Sequence, residues 1–258
     1  MLVASGFSIF GLNVKFYGII MALSMLIGIV VAIKNTKYRN LTDNDIYKLA
    51  LYVLPLSVIG ARIVYVIGSS YNYSFLEIFK IWEGGLSIYG GIIGGAVGVV
   101  LFCILHKKNF FDIADIAVIS LILGQAIGRW GNFFNQEVYG KIITDPSWQW
   151  FPFGVLLENG EWHYALFFYE SIINLAIFVV LQLLMKKQNK KGLIMALYLI
   201  CYGTIRLIME PMRMQEYNLM IFGIKLSSLI SVISIITGIV FLILIYTKLK
   251  KGNKVEEK

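Results

Sequence analysis

Charged residues are scarce in this chain. Asp, Glu, Lys and Arg make up 15% of its 258 residues, whereas hydrophobic residues make up 58%. Average soluble domains contain about 25% charged and about 45–50% apolar residues, and a soluble core of this length cannot bury such an excess. The composition therefore excludes an ordinary soluble domain and indicates a membrane protein.

Cysteine and histidine are also scarce, with two of each. Cys103 and Cys201 both lie in apolar runs. This excludes a disulfide framework and a zinc site, and we predict neither a metal nor a cofactor. The formal net charge is +8, but most lysines lie in short segments beside apolar runs, and no basic groove with interleaved aromatic residues is present. We therefore expect no nucleic-acid partner.

The long apolar runs predict an all-α polytopic membrane protein. A spanning helix requires about 20 mostly apolar residues. Seven segments meet this requirement: 16–33, 46–68, 86–105, 113–132, 164–185, 193–211 and 226–247. We expect a single membrane domain over residues 1–258. The connector 133–163 is rich in aromatic and turn residues and is long enough to form a small cap, and residues 248–258 form a charged tail.

The distribution of basic residues orients these helices. Fifteen Lys and Arg residues lie in one set of connecting segments, which includes the tail, and five lie in the opposite set. Because basic residues concentrate in cytoplasmic loops, we predict an external N-terminus and a cytoplasmic C-terminus. The cap over 133–163 is then external.

Several polar residues lie within the spans at one predicted depth. The second, fourth and sixth spans run outward and carry an arginine late in each, whereas the first, third and fifth run inward and carry Tyr or Glu early in each. The outer half of the bilayer is thus predicted to hold Tyr17, Arg62, Tyr89, Arg129, Glu170 and Arg206. Glu210 follows Arg206 by four residues, so the two share a helix face. Asn132 follows Arg129 by three and shares its face in the same way.

Two interpretations of these charges stay open. Buried ion pairs that fix helix packing explain a single Arg–Glu pair. Three arginines against two glutamates leave an excess of positive charge, which is costly within a span unless it is paired or hydrated. The anion available at this depth is a phospholipid phosphate, and a guanidinium group binds phosphate oxygens through two parallel hydrogen bonds. The excess therefore favours a phospholipid phosphate site.

The third span carries a glycine at every fourth position, namely Gly90, Gly94 and Gly98. This spacing is typical of helices that pack closely in lipid, and close packing is the favoured interpretation. The alternative is that the pairs Gly84-Gly85 and Gly90-Gly91, at the helix entrance, allow a lipid headgroup to approach the backbone.

The most specific motif is GRWGNFFNQEVYG at 128–140. It closely resembles the signature of prolipoprotein diacylglyceryl transferases, the bacterial enzymes of lipoprotein maturation. Other segments agree with this family in the same order along the chain: Phe16-Tyr17-Gly18, Gly60-Ala61-Arg62, WEGGLSIYGG at 82–91, Phe168-Tyr169-Glu170 and YGTIRLIMEPMR at 202–213. The resemblance covers nearly the whole chain and implies seven spanning helices in the bacterial cytoplasmic membrane.

The resemblance also implies a reaction and a set of site residues. The diacylglyceryl group of phosphatidylglycerol moves to the lipobox cysteine thiol of a prolipoprotein, a thioether forms, and glycerol 1-phosphate leaves. By position, Arg129 and Arg206 bind the phosphate. The other site residues that it implies are Tyr17, Asn132, Asn135, Glu137, Gly140, Tyr202 and Glu210. Arg62 and Glu170 join the substrate-binding candidates through their predicted depth in the spans.

Two positions depart from the family pattern and leave the catalytic base open. Many members carry a histidine where this chain has Tyr89, and the family's HP-x-x-LYE segment reads YALFFYE here, with Tyr164 in place of a histidine. Tyr89 is interpreted as a positioning group, with a weak base as the alternative. Three roles stay open for Glu137: it receives the thiol proton, it binds the glycerol headgroup, or it forms an ion pair near Arg129. The catalytic candidates are Tyr89, Arg129, Glu137 and Arg206.

Two functions of other classes compete with this interpretation. A lipid or anion transporter would use the same arginines, but it favours polar groups at both membrane depths, whereas this cluster is one-sided. A purely structural helical assembly leaves the signature motif and the excess of arginine unexplained.

The departure at Tyr89 generates a first prediction. Tyr89→Phe removes the hydroxyl group and keeps the ring, so we expect partial retention of lipidation, because a neutral tyrosine with a pKa near 10 is a poor base. Conversion of labelled prolipoprotein in membranes measures the effect. Complete loss of conversion, with the variant present in the membrane at wild-type level, would show instead that the hydroxyl group is required.

Overall fold

The computed structural model describes residues 6–9, 12–69, 71, 73–81, 84–214, 220–221 and 223–256. Seven helices in this part of the chain are long and apolar enough to cross a membrane. They are α1 (Phe16–Asn35), α2 (Asp43–Gly68), α3 (Ile88–Leu105), α4 (Phe110–Phe134), α5 (Leu166–Lys187), α6 (Leu193–Met209) and α7 (Leu226–Glu256). The prediction of seven spanning helices is confirmed, whereas the orientation of the helices and the external position of the cap stay predictions.

Short antiparallel hairpins accompany the helices. They are β1 (Gly6–Ile9) with β2 (Leu12–Lys15), β3 (Gly154–Leu156) with β4 (Trp162–Tyr164), and β5 (Met220–Ile221) with β6 (Ile224–Lys225). Asn159 and Gly160, the latter with φ of 82°, lie in the loop between β3 and β4, where a positive φ favours glycine. Because residues 162–164 are a strand, the fifth helix begins at Leu166 and not at 164 as the hydropathy pattern predicts.

The chain forms two compact units, one comprising residues 1–31 and 117–258 and the other residues 32–116. In the first unit, glycines let α6 and α7 approach each other closely. A Cβ atom added at Gly203 would lie 2.8 Å from the Ser231 carbonyl oxygen, and one at Gly238 would lie 2.7 Å from that of Ala196. Small residues allow this approach in lipid. The expectation of a single membrane domain stays a prediction.

The connector 133–163 is a packed part of the first unit. Tyr139 of the connector packs in one buried cluster with Ala165 and Phe167 at the start of α5. The Gly140 N–H donates to the Tyr164 carbonyl oxygen at 3.0 Å, and the Lys141 N–H donates to that of Met212 at 2.9 Å. These bonds hold the connector against the start of α5 and the segment that follows α6.

In the second unit, α2 and α3 pack at the glycine positions. A Cβ atom at Gly94 would collide with the Leu56 carbonyl oxygen, and one at Gly90 would collide with that of Gly60. At Gly98 it would lie 2.9 Å from the Cα atom of Val53. The packing interpretation of the glycine spacing is confirmed.

A buried ion cluster also lies in the second unit. Arg39 donates to the Asp115 carboxylate through Nε at 3.1 Å and Nη2 at 2.8 Å. Its Nε atom lies 3.9 Å from the Asp112 Oδ1 atom. Asp115 is fully buried, and two charge-assisted bonds from one guanidinium group offset part of the cost of that burial.

The glycine contacts generate a second prediction. Gly94→Ala forces a methyl group against the Leu56 backbone, and overpacking of this kind costs about 1–3 kcal/mol. Gly91→Ala is the matched control, because its Cβ atom would lie 3.8 Å from its nearest neighbours. We expect a lower apparent melting temperature in detergent for Gly94→Ala than for Gly91→Ala. Equal melting temperatures would contradict close packing at Gly94.

Candidate functional site

A buried carboxylate at the start of α5 lies at the centre of an arginine cluster in the first unit. Glu170 is 4% exposed and forms an ion pair with Arg129 from α4. Its Oε1 atom lies 3.6 Å from the Nη1 atom of Arg206 and 3.9 Å from the Nη2 atom of Arg213. One carboxylate thus faces three guanidinium groups.

The dipoles of the three helices favour this distribution of charge. Glu170 lies near the N-terminus of α5, whereas Arg129 and Arg206 lie near the C-termini of α4 and α6. Helix dipoles favour anions at N-termini and cations at C-termini. The antiparallel order of the three helices therefore brings compatible charges together at one end.

A second carboxylate completes the cluster. The Arg206 Nη2 atom lies 3.5 Å from Glu210 Oε2, as their four-residue spacing predicts. The Lys225 Nζ atom lies 4.0 Å from Glu210 Oε1. Glu210 precedes Pro211 and forms a short 3-10 turn after α6, so the end of the helix places this carboxylate beside the arginine.

Arg213 is a member of the cluster that the sequence analysis missed. It is 8% exposed, and its backbone forms an isolated β-bridge with Gly140. Burial and the neighbouring charge of Arg206 lower the pKa of Arg213 to about 10, so the group stays charged at neutral pH. The signal in the sequence is the run from Arg206 to Arg213, which carries two arginines around one glutamate.

The cluster leaves polar atoms unfilled. Arg206 Nη1, Arg213 Nε and Glu170 Oε1 are buried and have no hydrogen-bond partner among the described residues. Three guanidinium groups and the Lys225 ammonium group face the carboxylates of Glu170 and Glu210, so positive charge is in excess among them. Buried donors of this kind are costly unless they are paired, and an oxyanion supplies both the charge and the acceptors.

The signature motif adds an amide and a carboxylate to this end of α4. Arg129 Nη1 donates to Asn132 Oδ1 at 3.4 Å, and Asn132 Nδ2 donates to Glu137 Oε1 at 3.1 Å. The Tyr17 ring lies against Gly131, where an added Cβ atom would be 2.7 Å from the ring. Asn132 thus connects Arg129 to Glu137.

Three other predicted site residues lie near this end of the helices. Asn135 directly follows α4 and donates its backbone N–H to Gly131 at 3.0 Å. A Cβ atom at Gly140 would lie 2.6 Å from that of Tyr164, so only glycine fits there. Tyr202 lies one turn before Arg206 on α6.

Arg62 and Tyr89 belong to the second unit. Arg62 donates to the carbonyl oxygens of Glu77, Ile78, Gly84 and Gly85 at 2.7–3.1 Å. These bonds occupy four of its five N–H donors, and both glycines have a positive φ. Arg62 therefore organises the loop before α3, and its role in substrate binding stays a prediction. Tyr89 is half-buried in the first turn of α3.

The buried histidine of the connector has a structural partner. The His163 Nδ1 atom lies 2.8 Å from the Gly140 carbonyl oxygen. A carbonyl oxygen only accepts, so this nitrogen carries a proton and donates it. The bond fixes the imidazole against the framework of the connector.

Comparison with known proteins gives one consistent result. The family model for prolipoprotein diacylglyceryl transferase matches residues 5–244. The chain is 37% identical over 254 residues to the phosphatidylglycerol–prolipoprotein diacylglyceryl transferase of Clostridium botulinum (strain Loch Maree), with 96% of this chain and 98% of that protein aligned. It is 38% identical over 239 residues to the protein of the same name from Streptococcus equi subsp. zooepidemicus, with 90% of each chain aligned.

The ion cluster generates a third prediction. Glu170→Gln removes the central negative charge, and the uncompensated arginines are expected to destabilise the protein by about 3 kcal/mol. Thermal unfolding in detergent measures the loss. If an oxyanion fills the cluster, inorganic phosphate stabilises the variant by mass action.

Glu158→Gln is the control, because Glu158 is an exposed carboxylate bonded to Gln136 at 2.9 Å and surface changes are usually within about 0.5 kcal/mol. Equal stability of the two variants would contradict a buried charge cluster at Glu170.

Proposed function

The chain belongs to the prolipoprotein diacylglyceryl transferase family, and from this membership we propose that it transfers the diacylglyceryl group of phosphatidylglycerol to prolipoproteins, the first step of lipoprotein maturation. The acceptor is the thiol of the lipobox cysteine. The observation that carries the proposal is the partly buried cluster of three arginines around Glu170. Two of these arginines have an N–H group without a hydrogen-bond partner among the described residues, and the family match extends over residues 5–244.

The proposed site lies within a membrane. We place the protein in the bacterial cytoplasmic membrane with its N-terminus outside, because the basic residues concentrate in the segments on the opposite side. The arginine cluster then lies in the outer leaflet, at the depth of phospholipid phosphates. A prolipoprotein exported across this membrane presents its cysteine on the same side.

The arginines bind the phosphate group of the lipid. Arg129 and Arg206 supply planar guanidinium groups as hydrogen-bond donors. Arg213 adds a third positive charge beside the same carboxylate, that of Glu170. Because the site is partly buried, these charges act more strongly than they would in water. Asn132 and Glu137 extend the site with groups that hydrogen-bond to glycerol hydroxyls.

The reaction is a displacement at the glyceryl carbon that bears the phosphate oxygen. The cysteine sulfur forms a bond to this carbon, the carbon–oxygen bond breaks, and its electron pair leaves with glycerol 1-phosphate. The phosphate group gains one negative charge as it changes from a diester to a monoester. The cluster therefore stabilises the transition state more than the bound lipid, which is the condition for a faster reaction.

The attacking group is a thiolate, and the same positive charge promotes it. A free cysteine has a pKa of about 8.5, and neighbouring cations lower the pKa of a thiol. Glu137, hydrogen-bonded to Asn132 beside Arg129, is the carboxylate that receives the thiol proton. Tyr89 has a positioning role, and Arg62 holds the loop that leads to it.

A fourth prediction tests the phosphate site. Arg129→Ala and Arg206→Ala each remove charge that stabilises the leaving group, and we expect conversion of labelled prolipoprotein to fall by more than about 100-fold. Both variants are expected in the membrane fraction. Lys141→Ala is the control, because Lys141 is an exposed cation outside the cluster. Wild-type conversion by either arginine variant would exclude its guanidinium group from the reaction.

A further inference from the structure

A layer of uncharged polar side chains lies one helical turn from the arginine cluster, within the first unit. Its members are each four residues from a charged member of the cluster: Gln125 from Arg129, Asn174 from Glu170 and Tyr202 from Arg206. Four residues of α-helix rise about 6 Å. Because α5 runs antiparallel to α4 and α6, all three steps lead in the same direction, away from the helix ends and towards the middle of the spans.

Contacts between helices connect this layer. Gln125 Nε2 donates to the Tyr198 hydroxyl at 3.1 Å, which joins α4 to α6. Tyr198 is 6% exposed, and its ring stacks on that of Tyr202 with centroids 5.6 Å apart. Ser171 Oγ donates to the Ala126 carbonyl oxygen at 2.8 Å, which joins α5 to α4. The three helices that carry the arginine cluster thus adjoin each other again at this level.

Asn174 is the member of the layer that has an unpaired polar atom among the described residues. It is 2% exposed, and its Oδ1 atom has no hydrogen-bond partner among the described residues. A carboxamide group buried within a span costs free energy unless it is paired. It lies on the face of α5 that carries Glu170, so its amide belongs to the same side of the helix as the phosphate site.

We propose that Asn174 and Tyr202 bind the glyceryl ester groups of the lipid whose phosphate lies at the arginines. The inference rests on the proposed function. The Asn174 amide presents its NH2 group to an ester carbonyl oxygen after a half-turn of the amide, which exchanges its donor and acceptor ends. The Tyr202 hydroxyl donates to the other ester. In a phospholipid the esters lie on the chain side of the phosphate, as this layer does relative to the arginines.

Two-point binding also aligns the reacting bond. The glyceryl carbon that is attacked lies between the ester groups and the phosphate. With the esters held at Asn174 and the phosphate at Arg129 and Arg206, the carbon–oxygen bond points towards the arginines. Fixing a substrate in the geometry of attack lowers the entropic part of the barrier.

The experiment compares two lipids on the purified full-length protein. Phosphatidylglycerol with ester-linked chains is compared with its ether-linked analogue of equal chain length, which keeps the phosphate and both glycerols but lacks the carbonyl oxygens. We expect wild-type kcat/KM to be about five- to tenfold higher for the ester lipid, which is the effect of one or two hydrogen bonds. Asn174→Leu is expected to reduce this preference to less than about twofold, because it lowers kcat/KM for the ester lipid more than for the ether lipid.

Two further variants sharpen the comparison. Tyr202→Phe removes one hydroxyl and keeps the stacked ring, so it is expected to lower the preference partially even if Asn174→Leu does not fold. Gln182→Leu is the matched control, because it makes a similar change on α5 two turns beyond Asn174. It is expected to keep the wild-type preference.

The opposite results overturn the inference. Equal rates of the wild type on the two lipids, or an equal loss on both lipids in Asn174→Leu and Tyr202→Phe, would show that the layer serves helix packing alone. Transfer from neither lipid by the wild type would contradict the proposed function. In that case the thermal stabilisation of wild type and Asn174→Leu by each lipid still decides whether the layer distinguishes ester from ether.

Discussion

The placement of three arginines around Glu170 is the constraint on which the first unit depends. A guanidinium group within a span has to find an anion or water. One buried carboxylate serves Arg129 and Arg206 within the spans and Arg213 just beyond the sixth helix. This draws the C-terminus of α4, the N-terminus of α5 and the segment after α6 to a common point. The backbone bonds of Gly140 with Tyr164 and of Lys141 with Met212 then hold the connector against the same point.

The charges of this cluster are not balanced within the protein, and this imbalance suits a reaction in which an anion gains charge. A cluster selected only for stability would balance its charges, because buried ion pairs seldom add stability even when they are balanced. Here positive charge is in excess, and two buried N–H groups, on Arg206 and Arg213, have no hydrogen-bond partner among the residues that the structure describes. An anion that gains charge during the reaction benefits most from such a site, since the protein groups are already oriented before the charge develops.

Hydropathy and helix spacing predicted a large part of this from the sequence. Seven spans follow from apolar length, and the Arg206–Glu210 and Arg129–Asn132 contacts follow from spacing along one helix. Arg213 was missed because it follows Pro211, beyond the helix, where periodicity gives no direction. The partners of Arg62 are backbone carbonyl oxygens, which carry no side-chain signal. Arg39 and Asp115 are separated by 76 residues, and no local pattern links residues so far apart.

The order of polarity along α4, α5 and α6 resembles that of the lipid itself. Charged groups lie at the helix ends, amide and hydroxyl groups lie one turn further in, and apolar residues such as Leu181 and Met185 of α5 lie beyond them. A phospholipid has its phosphate, its esters and its chains in this sequence. An amphiphile that enters the site from the bilayer therefore keeps each part in an environment of similar polarity. Binding then requires desolvation of the headgroup alone, and the arginines compensate for the desolvation of its phosphate.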